Sequence, residues 1–171
     1  MQRRRRRFTQ SGPTIIKAVA EGYVRVDNEE RRGGATRIDT AWDLVEVTPV
    51  LLQREISKVA DLRITAIGRE LFAVRITAPP DSPLDVRMAD ADSCRYHVVD
   101  LEPQLSAALG SYLDWWGLRF GAFDLAEDAA GTIWFLGCNP AGQWAWLEAF
   151  TDLDMTRALV DLLLDPMGLG R

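Results

Sequence analysis

The chain has 171 residues, 47 % of them hydrophobic and 26 % charged, with a net charge of −5. Such a length fits one domain with a real core, which sets aside a disordered chain, and no apolar run approaches the ~20 residues that span a bilayer. The charge is uneven: residues 1–37 carry ten basic groups against four acidic ones, a balance of +6 that leaves −11 on the remainder, and an acidic body argues against a nucleic-acid binder.

The Arg3–Arg7 run has no apolar stretch behind it, so it is not a secretory signal. It reads as a solvated terminal segment rather than a phosphate-seeking arm. Cys94 and Cys138 show no CxxC spacing, and His97 is the single histidine. A structural zinc site is disfavoured, and free thiols suit a cytosolic protein. Thr14 to Ala20 (TIIKAVA) predicts an apolar strand interrupted by Lys17. A turn at Glu21–Gly22 leads into Tyr23–Val26. Asn28 to Ala35 (NEERRGGA) is charged and aperiodic and reads as a mobile loop, and Asp43 to Val47 as a short strand broken at Thr48–Pro49.

Asp61 to Ile67 and Leu71 to Thr77 flank Gly68-Arg69-Glu70, the signature of a β-hairpin. The period of two puts Asp61, Arg63 and Thr65 on one face and Leu62, Ile64 and Ala66 on the other. Residues 78–93, rich in Pro, Asp and Ser, read as a loop. Pro103 to Trp116 predicts a helix, with Leu105, Ala108, Leu109, Tyr112, Leu113 and Trp116 forming one apolar stripe. Pro103 suits its first turn and Gly117 its stop. Arg119 to Ala126 and Thr132 to Cys138 form a second hairpin across Asp128–Gly131. Gln143 to Phe150 and Thr156 to Leu164 read as helices, the latter capped by Asp154 and ended at Asp165–Pro166. Strands, helix, strands, helices without βαβ alternation predict an α+β domain.

The segment from Gly121 to Glu148 carries the sharpest chemistry. Asp124 is a carboxylate inside an apolar strand, costly to bury unless paired or bound to a cation. A turn centred near Ala129–Ala130 pairs it with about Phe135 and puts it on the face of Gly137 and Asn139. An Asp and an Asn oxygen converging there are hard ligands of the kind that hold Mg²⁺ against phosphates. The absence of a second histidine and of a GxSxG motif leaves a Ser/His/Asp hydrolase without support.

This segment resembles the end of the ATP-grasp domain in the graspetide (microviridin-type) maturases, which crosslink ribosomally made peptides. It is more distantly similar to the ribosomal-protein glutamate ligases and glutathione synthetase. The maturases' second strand reads FLE-x-NPNGQWGWIE, where this chain has FLGCNPAGQWAWLE. The likeness extends back through Leu51–Ile76, the DVR of Asp85 to Arg87, and GPTIIKAVAEG (Gly12 to Gly22), four motifs in the family's order. It implies an α+β ATP-grasp fold, truncated at its N-terminus, with a partial first subdomain over 1–50 and a complete second over 51–171.

The resemblance also implies a reaction. ATP phosphorylates a carboxylate, and an amine or hydroxyl attacks the acyl phosphate to give an amide or ester. Phosphoryl transfer requires positioning and charge neutralisation more than covalent help. By the resemblance, Lys17 contacts ATP phosphates, and the hinge Leu51–Ile56, with Gln53, Arg54, Glu55 and Ile56, reads the adenine edge. Arg63 and Arg87 steady phosphate or acyl phosphate, Asp124 and Asn139 hold Mg²⁺, and Asn28 to Ala35 closes over the phosphates. The competing readings are a strand lysine reaching water for Lys17 and surface ion pairs for both arginines. Trp144, Trp146 and Phe150 read as core or lid packing rather than a substrate platform, and His97 as structural. The implied partners are a ribosomal precursor peptide, leader and core, with a missing N-terminal half or a second copy; nucleic acid and membrane are not expected.

Two departures bear on these expectations. The family's metal-bridging Glu is Gly137 here, and Glu148 is the acid of the tryptophan-rich helix, not its replacement. The chain also starts deep inside the expected protein, which leaves Ile15, Ile16 and Val19 without the family's cover and predicts marginal stability or self-association. The alternative to a ligase is therefore a catalytically degenerate nucleotide- or leader-peptide-binding module.

Overall fold

The computed structural model describes residues 12–19, 23–26, 29–32, 34–37 and 49–165. In chain order these contain β1 (Thr14–Ala18), β2 (Tyr23–Val26), β3 (Glu29–Arg32), β4 (Thr36–Arg37), β5 (Val50–Arg54), β6 (Lys58–Ile67), β7 (Glu70–Thr77), β8 (Arg95–Val98), α1 (Pro103–Trp116), β9 (Phe120–Asp128), β10 (Ile133–Asn139), α2 (Ala145–Glu148) and α3 (Met155–Leu164). They belong to two compact units, Met1–Ser57 with Pro80–Ala91, and Lys58–Pro79 with Asp92–Arg171.

In the first unit β1 is the centre of an antiparallel sheet ordered β4-β1-β5. Its apolar run pairs with β5 from Thr14↔Arg54 to Ala18↔Val50, which sets Lys17 opposite Leu51. Most of the expected hinge is therefore strand, and its last residues are tied down. The Glu55 amide donates to Pro13 O at 3.0 Å, Arg54 Nη1 donates to Gly12 O at 2.6 Å, and Glu55 is ion-paired with Arg37 at 2.6 Å. Lys17 is half-buried, and Val19 just beyond the strand is exposed.

The expected loop over residues 28–35 is partly a strand: Glu29–Arg32 pairs with Tyr23–Val26 in register Tyr23↔Arg32 to Val26↔Glu29. Apolar alternation signals a strand with one buried face, whereas this ribbon is held by its backbone ladder, which charged residues can carry as well. The strand expected at Asp43 to Val47 lies outside the described residues. Val86–Met88 and Ala91–Ser93 are single 3₁₀ turns, and Asp85 starts the first of them by accepting from the Arg87 amide.

The second unit is built on a five-stranded antiparallel sheet ordered β10-β9-β6-β7-β8. Gly68, at φ 61°, lets β6 turn into β7 in two residues, with Ile67 opposite Glu70. Strict alternation then separates two faces. Leu62, Ile64, Ala66, Ala73, Phe123 and Leu125 form a core with Leu109 and Leu113 of α1. The helix has its bounds where the sequence puts them: proline opens it, and Gly117 at φ 62° closes it with Leu118 N–H bonded to Leu113 O at 2.8 Å. The predicted stripe is buried only in its middle, for Ala108 and Trp116 at its margins are exposed.

Beyond Cys138 the chain turns on to the opposite face, where Leu147, Met155 and Ala158 are buried. The helix expected over Gln143 to Phe150 shortens to Ala145–Glu148, because Gly142 and Gln143 are drawn against the sheet before a helix can start. Glu148 closes this layer: its carboxylate accepts from the Thr156 amide at 2.6 Å and the Thr156 hydroxyl at 2.7 Å. Asp154 caps α3 by accepting from the Arg157 amide at 3.1 Å. Among the described residues no helix is long and apolar enough to cross a membrane.

The β9–β10 turn is organised by Asp128. Its Oδ1 accepts from the amides of Ala130 and Thr132, both at 2.9 Å, and its Oδ2 from Trp134 Nε1 at 2.8 Å. The Trp134 bond, then the Thr132 amide, hold this carboxyl below the ordinary aspartate value of 3.8. A lowered folded value means stability that is present above 3.8 and lost as pH falls through the folded value. Asp128→Asn keeps the amide acceptor but removes the titration. Melting curves recorded on acidification should fall less steeply for Asp128→Asn than for the parent chain, and equal slopes would show that the turn carboxylate does not contribute.

Candidate functional site

The centre of the sheet's face away from α1 is an ion pair fixed by strand register. Arg63 of β6 lies opposite Asp124 of β9, and its Nη1 meets Asp124 Oδ1 at 2.6 Å. The arginine side chain is only 11 % exposed and the aspartate 42 %. A guanidinium this deep needs acceptors, since a buried charge without partners is costly. Its second comes from the loop after β10: Nη2 donates to the main-chain carbonyl of Gln143 at 2.8 Å. Nε is buried and has no partner among the described residues.

Asp124 in turn lies opposite Gly137, and Asn139 opposite Ala122. Asp124, Gly137 and Asn139 therefore share a face, as the sequence predicts, although the pairing differs from the expected one. The register shifts between Phe135 and Gly137, so Phe135 pairs with Leu125 rather than with Asp124. The bulge at Leu136 turns Phe135 towards α1, within 5.7 Å of the Tyr112 ring and 6.5 Å of Phe123. It leaves Gly137 and Asn139 beside Asp124. Extrapolating a regular hairpin from the turn cannot reveal such an insertion.

Asn139 has a structural task as well. Its Oδ1 accepts the Ala141 amide at 2.9 Å, and its carbonyl accepts the Gly142 amide at 3.2 Å, an Asx-type turn that brings the chain back over Arg63. Cys138, between Gly137 and Asn139, points to the α1 core. Burial pushes its thiol up, the Asp124 carboxylate adds to that, and Arg63 opposes it. The aromatic residues after the turn pack on the sheet: Tyr96 stacks on Phe150 at 4.5 Å and meets Trp146 edge-on at 6.0 Å.

The second unit thus brings together Arg63, Asp124 and Asn139. Lys17, Gln53, Arg54, Glu55, Ile56 and Arg87 belong to the first unit. There Arg87 pairs with Asp85 at 2.6 Å within its 3₁₀ turn, and the unit boundary follows Ser57, immediately after the expected hinge. The Gln143 carbonyl and Gly142 belong to this cluster by their contacts with Arg63, and sequence reasoning passes over them. A main-chain acceptor leaves no residue-type signal, although the NPAGQ motif marked the place.

For a hard cation the face offers few oxygens. Among the described residues Asp124 Oδ2 accepts no hydrogen bond, and Asn139 Oδ1, already accepting one, has a second lone pair. No group of three or more His, Cys, Asp or Glu side chains is disposed around a metal position among the described residues. This donor set fits an ion such as Mg²⁺, which is commonly held by one or two carboxylates with the remaining positions filled by phosphate oxygens and water. A side chain at Gly137 would enter open space, with no atom within 4 Å of its Cβ.

No family model matches this sequence, and no curated protein matches it. Solved structures do. The Chryseobacterium gregarium RiPP-associated ATP-grasp ligase, in complex with ADP and a leader and core peptide, superposes with a TM-score of 0.84 at 20 % identity, covering 97 % of this chain and 53 % of its own. The macrocyclase MdnC of Microcystis aeruginosa MRC, bound with precursor peptide MdnA, gives 0.78 at 24 % identity over 96 % and 53 %. The ATP-grasp ligase PsnB, complexed with a phosphomimetic variant of its minimal precursor, Mg and ADP, gives 0.74 at 20 % over 95 % and 49 %. This chain has the ATP-grasp fold and spans about half the length of the ligases it matches.

The ion pair makes a direct prediction. Asp124→Ala leaves the Arg63 guanidinium largely buried with one acceptor instead of two and should cost about 1–3 kcal/mol, the range for an orphaned charged donor that water partly reaches. Asp124→Asn keeps an acceptor oxygen and should cost less. Denaturant unfolding checks both, and an unchanged midpoint for Asp124→Ala would mean that Arg63 is not held there.

Proposed function

We propose that this chain forms the nucleotide-binding part of an ATP- and Mg²⁺-dependent carboxylate ligase whose substrate is a ribosomally made precursor peptide. The ATP-grasp fold supports ATP chemistry, and the Arg63–Asp124 pair with Asn139 beside it supports a phosphate-side site on the second unit's sheet. Among the solved structures it resembles, ligases bound to precursor peptides favour a peptide over a small metabolite. The reaction transfers the γ-phosphoryl group of ATP to a side-chain carboxylate. An amine or hydroxyl then forms the amide or ester and expels phosphate. A cytosolic location belongs to the same reading.

Each residue has a task that its chemistry permits. Asp124 Oδ2 and Asn139 Oδ1 would hold Mg²⁺, which when bound would neutralise charge between the β- and γ-phosphates. Arg63, already fixed, would present a cation to the phosphate or acyl phosphate without further ordering cost. In the first unit Lys17, a cation in the middle strand, would contact phosphate. Gln53 to Ile56 would meet the adenine through their main chain, and Arg87 would steady the transferring group. Asp85 pre-orients Arg87 and must be outcompeted for that task.

A second reading is favoured by one residue. Gly137 supplies no carboxylate where the resembled maturases have Glu, which fits a module that binds nucleotide or leader peptide without turning over. The readings part on ADP release in the presence of a Thr/Ser/Asp/Glu-rich precursor peptide: sustained release supports the ligase, and binding without release the degenerate module.

Two substitutions test the nucleotide site itself. Lys17→Ala should weaken ATP by about 1.5–3 kcal/mol, the worth of a charged hydrogen bond, and equal affinities by calorimetry would remove Lys17 from the site. Gly137→Glu should tighten Mg²⁺–ATP at least about tenfold. A divalent ion and a carboxylate about 4 Å apart attract by roughly 8 kcal/mol at an effective dielectric near 20, of which a quarter surviving competition with water suffices. The open space at the Gly137 Cβ means that folding should be undisturbed. Unchanged Mg²⁺–ATP affinity in Gly137→Glu, with Asp124→Asn weakening it, would mean that the metal site is not built with its second position beside Gly137.

A further inference from the structure

The NPAGQ turn comes closer to the sheet than any side chain but glycine permits. A Cβ built on Gly142 would lie 2.5 Å from the Ala122 Cβ, 3.0 Å from Arg63 Nη2 and 3.3 Å from Asn139 O. The first distance is far inside van der Waals contact, and Ala122 is a fully buried strand residue that cannot move aside. Glycine is therefore required here for close approach rather than for its backbone angle. What the approach achieves is visible one residue on, where the Gln143 carbonyl accepts from Arg63 Nη2 at 2.8 Å. Asn139 holds the turn from its other end through the Ala141 amide.

We infer that Gly142 is a positioning residue: the Asn139–Gln143 turn is a clamp that fixes the Arg63 guanidinium between Asp124 and a main-chain carbonyl. The two acceptors lie on different elements, β9 and the loop after β10, so together they set the plane of the group as well as its place. A guanidinium anchored by one carboxylate alone can swing about that contact, whereas two anchors on different nitrogens forbid the swing. The purpose of that rigidity, a cation presented ready to phosphate, rests on the function proposed above. The clamp itself is a property of the folded chain.

The test separates folding from positioning, and it uses the full chain. Gly142→Ala should lower the melting temperature and speed solvent exchange of the Arg63 Nε–H proton, followed by ¹⁵N NMR without nucleotide. Combining it with Ala122→Gly removes the 2.5 Å clash but leaves the new methyl against Nη2. Relative to Ala122→Gly alone, this double variant should lose much less melting temperature than Gly142→Ala loses from the parent chain, while Arg63 Nε–H exchange stays faster by about tenfold or more. Its affinity for Mg²⁺–ADP should also fall by about tenfold. A double variant that melts like Ala122→Gly and exchanges Arg63 Nε–H as slowly would overturn the clamp, as would wild-type melting and exchange in Gly142→Ala. Failure of the parent chain to bind Mg²⁺–ADP would count against the proposed function and leave the exchange result standing.

Discussion

The pairing of Arg63 with Asp124 across adjacent strands organises the second unit. Register puts the two side chains opposite one another, and the low exposure of the arginine makes its acceptors compulsory rather than optional. One acceptor is the carboxylate of Asp124, and the other is main chain, the carbonyl of Gln143. The chain after β10 is accordingly drawn down at Gly142 and Gln143, which delays α2 and sets where α2 and α3 cover the sheet. A surface pair of the same type would contribute little and constrain nothing.

A second constraint keeps two chemistries apart on one thin sheet. The face towards α1 is filled by aliphatic and aromatic side chains, while the other carries Asp124, Asn139 and Arg63. β10 serves both, since Phe135 joins the aromatic contacts of the α1 face and Gly137 lies next to Asp124. A regular strand would send residues 135 and 137 to the same side. The one-residue bulge resolves the conflict, and it explains how three consecutive large apolar residues, Ile133, Trp134 and Phe135, begin a strand that ends in a polar site.

The sequence was legible wherever a local rule applied without competition. Proline and glycine bound α1, the glycine turn sets the β6–β7 hairpin, and alternation separates Arg63 and Thr65 from Leu62 and Ile64. It was less legible where long-range contacts decide. The helix after Gln143 is shorter than its apolar spacing implies because the sheet captures the preceding turn. The strand at Glu29–Arg32 has no apolar alternation to betray it. The residue types of the site, Arg63, Asp124 and Asn139, stood out as charges and amides in apolar strands. The bond between Arg63 and Asp124 did not, for 61 residues separate them and only the register joins them. Nor could the Gln143 carbonyl be found, because a main-chain oxygen carries no residue identity.

The most direct measurement is paramagnetic broadening of backbone amides by Mn²⁺–ADP, with Mn²⁺ standing in for Mg²⁺ at a hard oxygen site. If the polar face of the sheet holds the metal-bound phosphates, the amides of Asp124, Asn139 and Gly142 should broaden first and recover when excess Mg²⁺–ADP is added. The amides of Leu105 and Leu109, behind the sheet on α1, should keep their linewidths at the same concentration. Broadening that spares Asp124 and Asn139, or that appears equally on α1, would contradict a nucleotide–metal site on this face.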